Sequence, residues 1–337
     1  KMINKKIKNL ILSTLLTFTS FSLFAAENFS FSLEPVIGIK NGYIYEYVFS
    51  NNSKTGKEYK LSQLDWNMKK TFFYGIHGDI KKDKSLISIE FKTIAPGVHG
   101  KMKDFDWAQD YGYKTGNSDL LTNYSEHDNE LLKGINLSLF TKRPFSLSSS
   151  FKITPGIGLT FEYYSFDGKN GFSQYGNPLS SGQESSYYEY NDPINSYRNN
   201  FSGTVISLER KDIYTWLGLD IEFSLLNNKI KFLIGAYVSP YTYLYALDSH
   251  YLRTPRLYFK DISQGFFSSY KGNVSIAFTP NDFFGLKFSV SGLITKEIHG
   301  TEEYTSGSPD NSYIYVGEGI GAGTKYLDLS LSCTFTF

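Results

Sequence analysis

From Leu327 the odd positions read Leu327, Leu329, Leu331, Cys333, Phe335 and Phe337, and the even ones Asp328, Ser330, Ser332, Thr334 and Thr336. Side chains on a strand alternate between faces, so this period-two pattern predicts a strand with one apolar and one polar face. The same habit runs from Phe145 to Tyr163. There Leu147, Phe151, Ile153, Ile157, Leu159 and Phe161 alternate with Ser148, Ser150, Lys152, Thr154, Thr160 and Glu162. Phe284, Leu286, Phe288 and Val290 alternate with Gly285, Lys287, Ser289 and Ser291, and Ile135, Leu137 and Leu139 repeat the pattern on a shorter stretch. The longest of these runs exceed the roughly 5–6 residues of an ordinary soluble strand. They predict barrel staves.

Connections between the staves alternate in length. Short ones are expected at 81–84, 141–144, 226–229 and 279–282, and long polar ones at 50–57, 100–127, 167–200, 251–261 and 299–312. Ten staves fit between them, at 28–49, 58–80, 85–99, 129–141, 145–166, 201–225, 230–250, 262–279, 283–298 and 313–337. The predicted fold is therefore all-β, a ten-stranded antiparallel transmembrane barrel with short periplasmic turns and long extracellular loops. A stave of ~20 residues at ~3.3 Å rise and ~40° tilt stands roughly 50 Å tall, against an apolar band of ~25 Å. Its outer rim is expected to stand in water.

Composition strengthens that picture. Aromatic residues make up 17% of the chain, with 27 Tyr and 28 Phe, while the mean hydropathy is −0.29. Outward apolar side chains, inward polar ones and aromatic girdles need such a mixture. A formal net charge of +1 and the lack of a basic stripe leave nucleic acid out of the expected partners. The lone Cys333 excludes an internal disulfide framework and sits on the apolar parity of the last stave. At the start, basic Lys1–Lys8 precedes apolar Leu10–Ala26, with small Ala25-Ala26 at its end. This predicts a signal peptide over 1–26 and a barrel domain over 27–337, a membrane anchor being the competing reading of the same stretch.

Two pairs carry candidate chemistry: Asp104 with Asp106, and Asp248 with His250. Members of each pair are two residues apart and share a strand face. Stave parity puts both pairs, together with Glu46, at the extracellular rim. Four such groups could converge on one water. Neutral His250 could take its proton, Asp248 would orient and charge-stabilise the imidazole, and the aspartate couple would hold the water from the other side. The residues offer no identifiable oxyanion donor. The other histidines, His77, His99, His127 and His299, show no metal-ligand spacing.

Taken with Ser62-Gln63-Leu64-Asp65-Trp66, Met102-Lys103-Asp104-Phe105-Asp106-Trp107, Asp248-x-His250 and the terminal Thr-Phe, the chain resembles the omptins, outer-membrane endopeptidases on a ten-stranded barrel. The resemblance spans the mature chain. It implies that Asp104 and Asp106 are the catalytic aspartate couple and Asp248 and His250 the Asp–His dyad. Glu46 would receive a basic side chain, Arg or Lys, next to the cut bond. It implies polypeptide substrates at the cell surface, a bed of outer-membrane lipid, and no metal or other cofactor. Three departures follow. Ala246 stands where the family often carries a second acid, so the basic preference should be weaker or differently tuned. Tyr163 stands in place of an arginine that binds lipopolysaccharide phosphate, which puts activation by lipopolysaccharide in doubt. Residues 118–130 differ from the family's second loop.

Asp65 and Trp66 are expected to pack and hydrogen-bond in the lumen, and Tyr237, Tyr241, Tyr243 and Tyr245 to serve packing. Two non-enzymatic readings stay open at this point. One is a passive pore; the other is an adhesin or receptor using the Tyr/Ser/Gly-rich segment 167–200.

Overall fold

A computed structural model describes residues 29–51, 56–107, 120–176 and 188–337. The expected signal peptide lies outside the described residues. The strands in chain order are β1 (Phe29–Asn51), β2 (Glu58–Lys82), β3 (Ser85–Ile94), β4 (Gly97–Trp107) and β5 (Leu121–Lys142). There follow β6 (Phe145–Ser146), β7 (Phe151–Gly176), β8 (Ser196–Asn200), β9 (Thr204–Leu225) and β10 (Ile230–Ser239). The last are β11 (Thr242–His250), β12 (Leu257–Gly265), β13 (Ser269–Phe278), β14 (Phe284–Ser306) and β15 (Ile314–Thr336). β3 and β4 are two halves of one stave, because both pair with β2 and with β5. By the same criterion β10 with β11, and β12 with β13, each make one stave. Apart from the short β6 and β8, this leaves ten antiparallel staves, and the β1–β15 ladder closes them into a ring.

Two of the interruptions have a chemical cause. Pro96 and Pro240 have no N–H to give the ladder, so the strand breaks or bulges there. At Ser239-Pro240 the break also changes the facing parity. Tyr237 points into the lumen and stacks edge-on with Phe140 at 5.3 Å. Beyond the break Thr242 and Leu244 are buried inside, and Tyr241, Tyr243 and Tyr245 take the outer face.

The barrel is inverted relative to a water-soluble protein. Ile37, Phe72, Ile89, Leu137, Leu217, Ile234, Ile276, Phe288 and Leu329 are exposed on its outside. Inside, charges meet in pairs: Lys40–Asp328 at 3.1 Å, Lys92–Glu90 at 2.9 Å, Lys142–Asp220 at 2.6 Å and Lys287–Glu34 at 2.5 Å. Burying an ion is tolerable only with such partners. Cys333 lies opposite Leu286 on the outward parity of β15.

Several staves outrun their predicted ends. β4 reaches Trp107 and β5 starts at Leu121, so Asp104 and Asp106 belong to a strand and not to the loop expected over 100–127. β7 runs to Gly176, β12 starts at Leu257 and β14 ends at Ser306. The turn expected at 141–144 lies instead at 147–150, since Phe145 still pairs with Ile153. Above the apolar band both faces meet water. The ladder goes on there while the apolar–polar alternation, which marks only the lipid-facing part, stops.

Candidate active-site cleft

The cleft forms at the end of the barrel with the long connections. At its level the outer wall carries ion pairs, among them Lys101–Asp128 at 2.8 Å, Lys60–Glu297 at 3.2 Å and Lys260–Glu303 at 2.6 Å. The site therefore stands above the apolar belt.

One wall is built by β1, β2 and β4. Register places Glu46 beside Leu64, Leu64 beside Asp104, and Ser62 beside Asp106. Leu64, Trp66 and Met102 on the same inward parity are buried, which sets the direction of the polar groups between them. Ser62 donates its hydroxyl to Asp104 Oδ1 at 3.3 Å, and Asn123 donates to Asp106 Oδ2 at 3.4 Å. Trp66 Nε1 donates to Glu46 Oε2 at 2.7 Å. The expectation for Trp66 thus holds, but that for Asp65 does not. Asp65 sits on the outward parity across from Lys103 and accepts a hydrogen bond from Gln63 at 2.7 Å.

The other wall is β11. Asp248 and His250 both project inward, and His250 Nε2 lies 2.5 Å from Asp248 Oδ2. Phe259 on β12 meets the imidazole edge-on at 5.1 Å. The two pairs thus face one cleft, near enough that the charges of Asp104 and His250 act on each other.

The electrostatics follow from burial and crowding. Burial, then the neighbouring Asp106, pushes the Asp104 carboxyl well above its ordinary range. Burial also raises Asp106, against hydrogen bonds from Ser62 and Asn123. Two carboxylates so placed lose their protons as a pair and not independently. Burial alone would favour neutral His250, but the charge and hydrogen bond of Asp248, with Asp104 beyond, outweigh it and hold the imidazole up to about 9. Glu46 is pushed up to about 8 by burial and by Asp248.

Sequence reasoning missed three groups here. Arg210 is fully buried on β9 directly across from Ala246, with its Nε 2.5 Å from Asp212 Oδ1. Asp261 lies across from Ala246 on the other side, and Glu302 across from Asp261. Only the register between staves brings them to the cleft.

Fold and site together define a class: an outer-membrane β-barrel that carries a cleft of ionisable side chains above its lipid belt. A model of the Omptin family matches residues 27–337, and the chain belongs to that family. Among solved structures it is similar to the outer membrane protease OmpT from Escherichia coli. The identity is 16% and the TM-score 0.73, with 93% of this chain and 99% of that one covered. Neisserial surface protein A matches with 9% identity and a TM-score of 0.30, covering 92% of this chain and all of that one. The autotransporter NalP translocator domain from Neisseria meningitidis matches with 6% identity and a TM-score of 0.34, covering 97% of this chain and 96% of that one. No curated protein sequence matches the chain.

Proposed function

We propose that the protein is an outer-membrane endopeptidase that hydrolyses peptide bonds next to Arg or Lys, with its cleft open to the exterior. The observation that carries this reading is the hydrogen-bonded Asp248–His250 pair facing the buried Asp104–Asp106 pair across one cleft. A water held between them has an acceptor for its proton in neutral His250 and acceptors on its far side in the aspartates. Attack on the peptide carbonyl carbon moves that proton to His250, and Asp248 stabilises the imidazolium that results. When the C–N bond breaks, His250 returns the proton to the departing amine. All these roles fall to side chains of the chain itself, so the reading calls for no metal, cofactor or covalent intermediate.

Glu46 receives the basic side chain. Its Oε2 is fixed by Trp66 and its Oε1 is buried without a partner. A substrate cation arriving there also favours the neutral imidazole by like-charge repulsion. Family membership supports the protease reading, and the ion pairs on the outer wall at this level support a cleft in water.

The test is cleavage of a peptide holding a single Arg by the purified, folded barrel. Wild type should cut it, and His250→Ala should lose activity by about 10³-fold or more. Equal activity in His250→Ala would remove the proposal.

A further inference from the structure

Ala246 leaves a gap in a strongly acidic pocket, and the neighbouring stave fills it. In the β11–β12 ladder Ala246 is the direct partner of Asp261. A methyl side chain occupies little room, so the Asp261 carboxylate stands beside the inward face that a longer side chain at 246 would take. The ladder fixes this parity: Leu244 opposite Ser263 and Ala246 opposite Asp261 line the same side as Asp248 opposite Phe259. One stave on, Glu302 is the partner of Asp261. Glu46 closes the pocket from β1, only 6% exposed.

These carboxylates lack enough positive charge of their own. Glu46 Oε1, Asp248 Oδ1 and Asp261 Oδ1 are all buried without a hydrogen-bond partner. The cations that act on them are His250, bound to Asp248, and Arg210, whose Nε is bound to Asp212 and whose two terminal nitrogens have no hydrogen-bond partner. One guanidinium and one imidazole thus stand against the four acids Glu46, Asp248, Asp261 and Glu302. Burial, with repulsion from Glu46, Glu302 and Asp248, raises Asp261 well above the ordinary carboxyl range. Buried charged groups are stable only when paired. A group of unsatisfied acids open to a cleft is a receptor for a cation from outside.

We propose that Asp261, held opposite Ala246 by the β11–β12 register, acts with Glu46 as the second carboxylate that binds the basic side chain of the substrate. The inference rests on the endopeptidase reading above. It replaces the weaker basic preference expected from Ala246 with a strong one, the acid having moved one stave sideways. Asp261 is then a specificity residue and touches no reacting atom.

The experiment compares two peptides that differ only in an Arg or a norleucine before the cut bond. They are assayed with wild type, Asp261→Asn, and the double variant Asp261→Asn/Ala246→Asp, each checked for folding by heat-modifiable gel migration. Wild type should prefer Arg by about 100-fold or more, since a buried charge left without its partner is costly. Asp261→Asn should lower kcat/KM for the Arg peptide about 10- to 100-fold, mainly through KM, and change the norleucine peptide less than about 3-fold. The double variant should recover most of the loss. Two results would overturn the proposal while leaving the hydrolase intact: an unchanged Arg preference in Asp261→Asn, or equal wild-type cleavage of both peptides, which would mean that Arg210 already satisfies the pocket. A wild-type barrel that cuts neither peptide, nor any other, would overturn the hydrolase reading and this inference with it.

Discussion

His250 is the residue on which the chemistry turns, and its environment makes a prediction about pH. Its imidazole keeps the proton up to about 9 because the charge of Asp248, its hydrogen bond and Asp104 together outweigh burial. Only the neutral ring can accept a proton, so kcat/KM should rise with pH through a midpoint near 9 and level off only above it. In Asp248→Asn the charge of Asp248, the larger raising influence, is gone, while burial and the weaker pull of Asp104 stay. The ascending limb should then move down toward the ordinary value of about 6.5 or below, and the maximal rate should fall about 10²- to 10⁴-fold because the ring has lost its orienting partner. A profile with the same midpoint in both proteins would show that another group controls the limb. Trp66 permits a second residue-scale prediction. Trp66→Phe removes the hydrogen bond that Trp66 Nε1 donates to Glu46 Oε2 while keeping an aromatic ring in place. KM for Arg peptides should rise about 3- to 30-fold with kcat little changed. A fall in kcat alone would argue that Glu46 serves the chemical step.

At the scale of single staves, the alternation at Phe145–Phe161, Phe284–Ser291 and Leu327–Phe337 made the strands legible, because one face there meets lipid and the other the lumen. The overshoots were not legible. Asp104, Asp106 and Asp261 stand above the lipid-facing band, where apolar and polar side chains occur on both faces, so no period-two pattern marks the strand. The switch at Pro240 was hidden too, since tyrosines spaced by two give no sign that the ladder changes face between them. Asp261 was missed for this reason: counted as loop, it had no face. A hairpin closed symmetrically over residues 251–256 pairs His250 with Leu257 and hence Ala246 with Asp261, so the strand end alone would have revealed it.

Lumen packing adds a further constraint at the same scale. Phe140 lies over Gly158 and Tyr237 over Gly218, where a Cβ would come within 2.4 Å and 2.2 Å of the ring atoms. Both glycines exist for close approach of a ring from the next stave. Gly158→Val should destabilise the barrel by about 1–3 kcal/mol, read as a lower urea midpoint for unfolding. An unchanged midpoint would mean that Phe140 can swing aside without loss.

For the whole molecule, the ring of ten staves settles what the interior can be. Buried ion pairs, the rings of Phe140, Tyr237 and Trp216, and the Glu162–Tyr326 hydrogen bond at 2.7 Å fill the lumen. Barrels of this size leave little room beyond their own side chains. Purified protein in a planar bilayer should show no steady single-channel conductance. Large, stable currents would revive the pore. An adhesive role for the segment 167–200 loses its first ten residues to β7 and its last five to β8, while residues 177–187 lie outside the described residues.

The central claim is that two walls of the barrel hold one water. It is tested most directly by a double-mutant cycle on kcat/KM for a single-Arg peptide, using wild type, Asp104→Asn, His250→Ala and the double variant. If both groups act on the same molecule, each single change should cost about 10³-fold or more, and the double variant should be little worse than the more damaging single one. Losses that multiply, or a single variant that keeps full activity, would show that the aspartates and the imidazole serve separate steps.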